Sequence, residues 1–422
     1  MTLERPPLFT KKRDVLTFLT FALLIFSLSI IHKYHAYQTL TTFDDAIIKV
    51  HVINQYLKTT KKKEYFVLKV RSENSTFYTT TSKHARDLTG RDIELKVWVS
   101  KLTFFKFIEG YYLYSHITKV YPERDAKSTL AHHISTQHHS QISAELFAAL
   151  YTASPMSREL RERLSALGTS HLLAISGFHL GILSAVLYFL FKLPYSLLQQ
   201  RYFPYRSSNL DLFVIVMLFL TTYLYFLGAI PSLMRAFVML LIGFILYDRG
   251  IKVISMQTLF LTCILLLAAV PTLLYNIGFW LSICGVFYIF LYLIHFQSNS
   301  YVWTLVSLSS WVYLMMLPIS LYLFETFSIY HPLSILASIL FLPFYLLSIF
   351  LHVISQGGIL DGFVEYYLSL AQSPKTISLP LYVIVTQLIV SLIAIKSKKL
   401  SLALLLFCLF VLMSSIHHVA EF

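Results

Sequence analysis

The run Gly168-Thr-Ser-His-Leu-Leu-Ala-Ile-Ser-Gly-Phe-His-Leu-Gly181 gathers, inside an apolar stretch, the side chains best suited to chemistry. A charged group in hydrocarbon costs about 3 kcal/mol or more unless it is paired, so polar residues at such depth point to function first. On one continuous helix, His171, Ile175 and His179 share a face at i, i+4 and i+8, and Ser176 precedes His179 by three residues. Three chemistries are open. The hydroxyls can bond backbone carbonyls in plain helix packing. Ser176 can act as a nucleophile activated by His179, which needs the hydroxyl within about 3 Å of the imidazole. The segment can line a polar pathway, with Gly177 and Gly181 as a small-xxx-small pair that admits a helix or a ligand. A second feature is Arg235 in Gly228-Ala-Ile-Pro-Ser-Leu-Met-Arg-Ala. It either snorkels to the interface or faces the bundle interior to meet a phosphate or a carboxylate. Gln257, Asn276, Glu325 and the sequence His331-Pro-Leu-Ser are further polar points near expected helix ends, and Pro318 and Pro343 are expected to kink or interrupt their runs.

The elements that must hold these residues follow from composition. Of 422 residues, 56% are hydrophobic and 13% charged, with a mean hydropathy of +0.66. That is about half the charge, roughly 25%, of a soluble domain, so the bilayer is the solvent for most of the chain. Apolar runs are expected to span at 15–31, 171–191, 210–227, 230–247, 253–270, 273–296, 302–324, 333–355, 378–395 and 399–416. The expected fold is a polytopic α-helical membrane protein of about ten transmembrane helices, some broken or re-entrant. Residues 1–35 form a basic flank and anchor, 168–355 the membrane core, and 356–422 an interfacial segment with the last helices. Arg5, Lys11, Lys12 and Arg13 keep the N-terminus cytoplasmic by the positive-inside rule, which puts residues 32–170 on the outer face.

Residues 44–124 differ. Five segments rich in Val, Ile, Thr and aromatics, separated by Lys, Asn, Asp or Gly, predict a small extramembrane β domain, OB-like. This stretch holds 15 Lys/Arg against 9 Asp/Glu. Basic and aromatic residues interleave in it, and Lys61, Lys62, Lys63, Phe66, Trp98, Lys101, Phe105 and Lys106 are the candidates for stacking and backbone contact with a single strand. Residues 125–167 read as a helical connector, with Leu160, Leu164 and Leu167 on the apolar stripe of an interface-lying helix. His132-His133 and His138-His139 read as solvated, and neither they nor Cys263, Cys284 and Cys408 complete a metal spacing. No cofactor motif is present, and no GxxxxGK[ST] for ATP.

Four stretches in order carry a resemblance: His171-Leu-Leu-Ala-Ile-Ser-Gly-Phe-His-Leu-Gly, Gly228 to Met239, Met256-Gln257 through Phe279-Trp280-Leu281-Ser282, and His331-Pro-Leu-Ser through Leu342-Pro343. Together they resemble ComEC-type competence proteins over about 168–347. The resemblance implies a channel in the cytoplasmic membrane for single-stranded DNA in natural transformation, with no enzyme activity of its own. It implies as partners the single strand, membrane lipids, DNA-receptor and cytoplasmic motor proteins, and a second copy of the chain. His171, Ser176, Gly177, His179, Arg235 and Gln257 are then the DNA-pathway candidates. The metallo-β-lactamase-like domain of many members, with its HxHxDH zinc motif, is not found, so nuclease activity is not expected from this polypeptide. Trp280 and Ala337 stand where such proteins commonly carry Gln and Asn. An intramembrane hydrolase and a small-molecule transporter are the alternatives.

Overall fold

The computed structural model describes the chain except residues 1–5, 7, 10, 61–62, 73–74, 100–101, 125, 174–175, 297–299, 372–374 and 421–422. Two compact units divide it: Met1–His132 with Phe260–Phe279, and His133–Leu259 with Trp280–Phe422.

The first unit opens with α1 (Lys12–Leu40), whose Leu16, Phe21, Leu23, Leu24 and Leu28 all lie exposed. Such a helix is stable only with lipid around it. The strands follow: β1 (Asp45–Thr60), β2 (Lys63–Arg71), β3 (Thr76–Ser82) and β4 (Arg91–Trp98), then the short α2 (Phe104–Glu109), β5 (Tyr111–Tyr112) and β6 (Tyr114–Arg124). The sheet order is β5-β3-β2-β1-β4-β6. Its two edges, β5 and β6, are separated by Leu113 alone, so one strand path pairs in parallel with β3 and then antiparallel with β4. The sheet therefore closes on itself, and the Leu113 N–H donating to the Tyr78 carbonyl seals the seam at 2.9 Å. A closed barrel leaves no open edge for another chain to pair with. Alternation explains the closure. In β4, Ile93, Leu95 and Val97 point inward and are buried, meeting Val50, Val52, Leu68, Val70 and Phe77. Phe77 stacks on Tyr111 at 5.3 Å and Tyr111 on Phe107 at 5.2 Å, so α2 plugs one end of the core.

After α3 (Ala126–Ser135), the second unit runs through α4 (Gln141–Thr152), α5 (Arg158–Ala166), α6 (Ser170–Leu173), α7 (Gly177–Tyr202), α8 (Ser208–Phe226) and α9 (Pro231–Asp248). The helices α10 (Met256–Ala269) and α11 (Ile277–His295) follow, with a 3₁₀ turn at Pro271–Tyr275 between them, and each has residues in both units. Then come α12 (Tyr301–Phe324), β7 (Thr326–Phe327), α13 (Leu333–Val353), α14 (Asp361–Ser369), β8 (Lys375–Thr376), α15 (Leu381–Ala394) and α16 (Lys398–Ala420), with β7 and β8 paired. Among the described residues, eight helices are long and apolar enough to cross a bilayer, and α10 and α15 are shorter apolar helices of 14 residues. At 1.5 Å per residue these two reach only about 21 Å, short of a bilayer core of about 30 Å. The chain is a multi-pass membrane protein with an N-terminal β unit.

Several expectations change. The stripe Leu160, Leu164 and Leu167 is buried in a core with Phe147, Leu150, Leu173 and Val364. The α5 helix therefore lies on protein, and not on a membrane surface. Pro343 and Pro318 sit inside helices that continue through them. His138 is not solvated: its side chain is fully buried.

Because Phe77 fills the barrel centre, Phe77→Ala is expected to cost the first unit about 3–5 kcal/mol. Denaturant unfolding of the purified protein, followed by Trp98 fluorescence, should show the midpoint falling accordingly.

Candidate functional site

The segment from Gly168 to Gly181 is broken in the middle. Gly168 takes φ +68°, a left-handed turn that glycine adopts without strain, and it ends the run from α5. A Cβ there would stand 2.8 Å from the His331 ring, so the glycine is also required by space. His171 on α6 donates from Nδ1 to the Gly168 carbonyl at 3.0 Å and meets Ser338 Oγ through Nε2 at 3.2 Å. His331 lies against the same glycine, bonded through Nδ1 to the Tyr313 hydroxyl at 3.0 Å and stacked on Phe327.

Ser176 is extended, with φ −121° and ψ 177°, and caps α7. Its Oγ accepts from the Phe178 N–H at 3.3 Å, and its own N–H donates to His179 Nδ1 at 3.1 Å. This is the reciprocal arrangement of a capping box, with histidine in place of the usual glutamate. His171 and His179 consequently sit on different helices, which corrects the single face expected from their spacing. The cap also weighs against nucleophilic use. His179 Nδ1, 3.2 Å from Ser176 Oγ, already accepts from a backbone N–H. Its Nε2 is buried without a hydrogen-bond partner, edge-on to Phe341 and Tyr345 at 5.2 and 4.9 Å. Among the described residues no carboxylate is bonded to the ring.

Arg235 lies one turn into α9, whose first residue is Pro231. It is 5% exposed and so does not snorkel. Its Nε donates to Ser282 Oγ at 2.8 Å and its Nη1 points at the Met239 sulfur at 3.7 Å. A Cβ on Gly177 would stand 3.1 Å from Nη2 and 3.0 Å from Ala236. The glycine thus lets α7 and α9 close over the guanidinium. Among the described residues no carboxylate pairs with it. The buried acids are engaged elsewhere: Asp211 with Arg206 at 2.6 and 2.8 Å and with Tyr195, and Asp361 with His138 at 2.6 Å. Gln257 lies in the first turn of α10 and is half-buried.

On the barrel, Lys61, Lys62 and Lys101 lie outside the described residues, as does the side chain of Lys63. Phe66 pairs in register with Leu57, whereas Trp98 pairs with Asp45. Twelve residues of β1, about 40 Å of strand path, separate the two positions, so they do not share a platform. Phe105 and Lys106 are exposed on α2, with Phe105 edge-on to Tyr275 at 5.9 Å. What the barrel does assemble is an outward row. Trp98 registers with Tyr114, Tyr114 meets Tyr112 at 5.2 Å, Tyr112 registers with Tyr78, and Lys69 sits over the Tyr78 ring at 5.8 Å. The four rings are 37–71% exposed. Burial, and then Arg71 beside it, hold the Lys69 ammonium below the ordinary lysine range.

Residues 151–419 match the family described as Competence protein. The chain belongs to the Competence protein family. It is similar to ComE operon protein 3 of Bacillus subtilis (strain 168), with 35% identity over 182 residues, covering 42% of this chain and 21% of that relative. The chain thus aligns with about a fifth of the relative's length, and no solved structure matches it. The matched region contains His171, Ser176, Gly177, His179, Arg235 and Gln257 and leaves the barrel outside. Within it, Trp280 is 38% exposed and Ala337 half-buried, so apolar side chains stand at both positions.

The three glycines of the segment make a graded test. Gly168→Ala adds a left-handed strain of about 1–2 kcal/mol and a clash with His331. Gly177→Ala meets Ala236 and Arg235, and Gly181→Ala meets nothing within 4 Å. Thermal unfolding in detergent should rank them in that order, with Gly181→Ala neutral or stabilising by about 0.5–1 kcal/mol.

Proposed function

We propose that this Competence-family chain passes single-stranded DNA across the cytoplasmic membrane during natural transformation. The observation that carries the reading is Arg235, a guanidinium buried among membrane helices with no carboxylate bonded to it among the described residues. A buried cation without a counter-charge is costly, so it persists where an anion comes to it. A phosphodiester is such an anion, and guanidinium donors match its oxygens. His171, Ser176 and His179 add donors along the broken α6–α7 segment, where exposed backbone is tolerated only beside protein or water. The N-terminus lies in the cytoplasm and the barrel on the outer face, where its aromatic row receives the strand. Rings stack on any base, and Lys69, over the Tyr78 ring, offers a phosphate contact beside them. With no ATP motif in this chain, the driving force comes from a motor partner or an ion gradient. A DNA receptor and a second copy of the chain complete the assembly.

Two measurements test this. In a deletion strain carrying Arg235→Gln, nuclease-protected labelled DNA should fall at least about tenfold while the protein stays in the membrane at normal level, since one phosphate contact is worth roughly 1.5–3 kcal/mol. Uptake at the wild-type rate would remove Arg235 from the path. For the barrel, Trp98→Ala with Tyr114→Ala in the full-length protein should weaken oligothymidylate binding by about 1–3 kcal/mol per lost stacking ring, and log affinity should fall steeply with log salt. Salt-independent binding would exclude the barrel from the route.

A further inference from the structure

His138, His352 and Asp361 lie outside the motif segments and are joined by short bonds. His138 Nδ1 is 2.6 Å from Asp361 Oδ1, and its Nε2 is 3.0 Å from His352 Nε2. His352 Nδ1 is 2.6 Å from the Ser348 carbonyl. Counting protons defines the state of the trio. A carbonyl only accepts, so His352 carries its hydrogen on Nδ1. A carboxylate likewise requires a hydrogen on His138 Nδ1. Two neutral rings would then face each other with lone pairs at 3.0 Å, which is repulsive. The distance is that of an N–H···N bond, so one further proton sits between the rings. The count is the same if Asp361 holds the hydrogen of its own bond. With that proton the trio is neutral overall: one imidazolium, one imidazole and one carboxylate.

The surroundings fasten this arrangement to two separate pieces of chain. Gln137 donates to the His352 carbonyl at 3.3 Å and accepts from the Gly357 N–H at 3.2 Å. The His139 N–H donates to Asp361 Oδ2 at 2.8 Å. Phe147 stacks on His138 at 4.7 Å with the rings 3° apart, and Tyr151 lies edge-on to His352 at 5.1 Å, its hydroxyl on Ser348 Oγ. A Cβ at Gly357 would stand 2.8 Å from His352 Nε2, so the turn before α14 closes tightly over the pair. The titratable groups facing the rings are Tyr151 from α4, Asp361 from α14 and His139 from the loop. No lysine or arginine is ion-paired with the trio among the described residues.

We propose that His138, His352 and Asp361 form a proton-held latch that fastens the loop before α4 to the end of α13 and opens when a second proton enters. The second proton goes to His352 Nε2. Two N–H groups then face each other across the former bond, and two imidazolium charges share one carboxylate. Loss of the first proton also opens the latch, because two lone pairs then meet. The device therefore responds to acidification. It stands independently of DNA passage and is read directly in the protein.

Amide exchange of the full-length protein in nanodiscs, corrected for the chemical exchange rate, reports the latch through the peptide spanning residues 136–142. Between about pH 8 and about pH 5, wild-type protection of this peptide should fall at least about tenfold. In His352→Gln the amide oxygen still accepts from His138 but takes no second proton, so protection should hold at the acid end. Asp361→Asn should lose protection at every pH. If wild type and His352→Gln lose protection in parallel, or neither loses it, the latch is refuted, whether or not Asp361→Asn folds. A chelator that opens the peptide at neutral pH, with zinc found bound one per chain, would make the shared cation a metal and overturn the proton.

Discussion

Inside hydrocarbon there is no water to complete a hydrogen bond, and this constraint organises the membrane part of the chain. Each helix start at membrane depth exposes N–H groups that need an acceptor or must be absent. The sequence meets the need in both ways. Ser176, Ser255, Asn276 and Ser300 accept from N–H groups at the starts of α7, α10, α11 and α12. Pro231, Pro332 and Pro380 remove an N–H where α9, α13 and α15 begin. Interior hydroxyls follow the same rule: Ser391 donates to the Gln387 carbonyl and Ser338 to that of Ser334, each one turn back.

Against that background the charged groups separate by what satisfies them. Asp211 and Asp361 each have a basic partner at 2.6 Å, which offsets part of the cost of burying them. Arg235 has a hydroxyl and a thioether instead, and His179 leaves one nitrogen against aromatic rings. A cation without a bonded carboxylate among the described residues therefore lies where α7 and α9 meet, and that packing depends on Gly177. A guanidinium held this way attracts negative charge.

The reach of the sequence follows the range of each signal. Spans and strands were legible because periodicity and length are local properties, and Ala46–Tyr56 and Asp92–Val99 stand where their alternation places them. The break between His171 and His179 was missed although its signal is local: Ser176 followed three residues later by a hydrogen-bonding side chain is a helix start. The Leu160 stripe looks the same whether lipid or Phe147 covers it, so only tertiary structure decides. The row from Trp98 to Tyr78 needed the register of four strands, which no single segment contains. His138 and Asp361 are 223 residues apart, and nothing in either neighbourhood announces the other.

One helix ties these features together. In α13, Ser338 meets His171 and, 14 residues on, His352 meets His138. A straight helix would transmit a shift along that distance of about 21 Å almost rigidly. Pro343 lies between the two contacts and has no N–H for the Ile339 carbonyl, so the ladder is weakest at that point. Ser348 on the far side bonds His352 through its carbonyl, while Ser338 on the near side bonds His171. The proline frees only that rung of the ladder, because Tyr345 beyond it still faces His179 edge-on and its carbonyl accepts from Ser348, so both halves of α13 touch the motif segment.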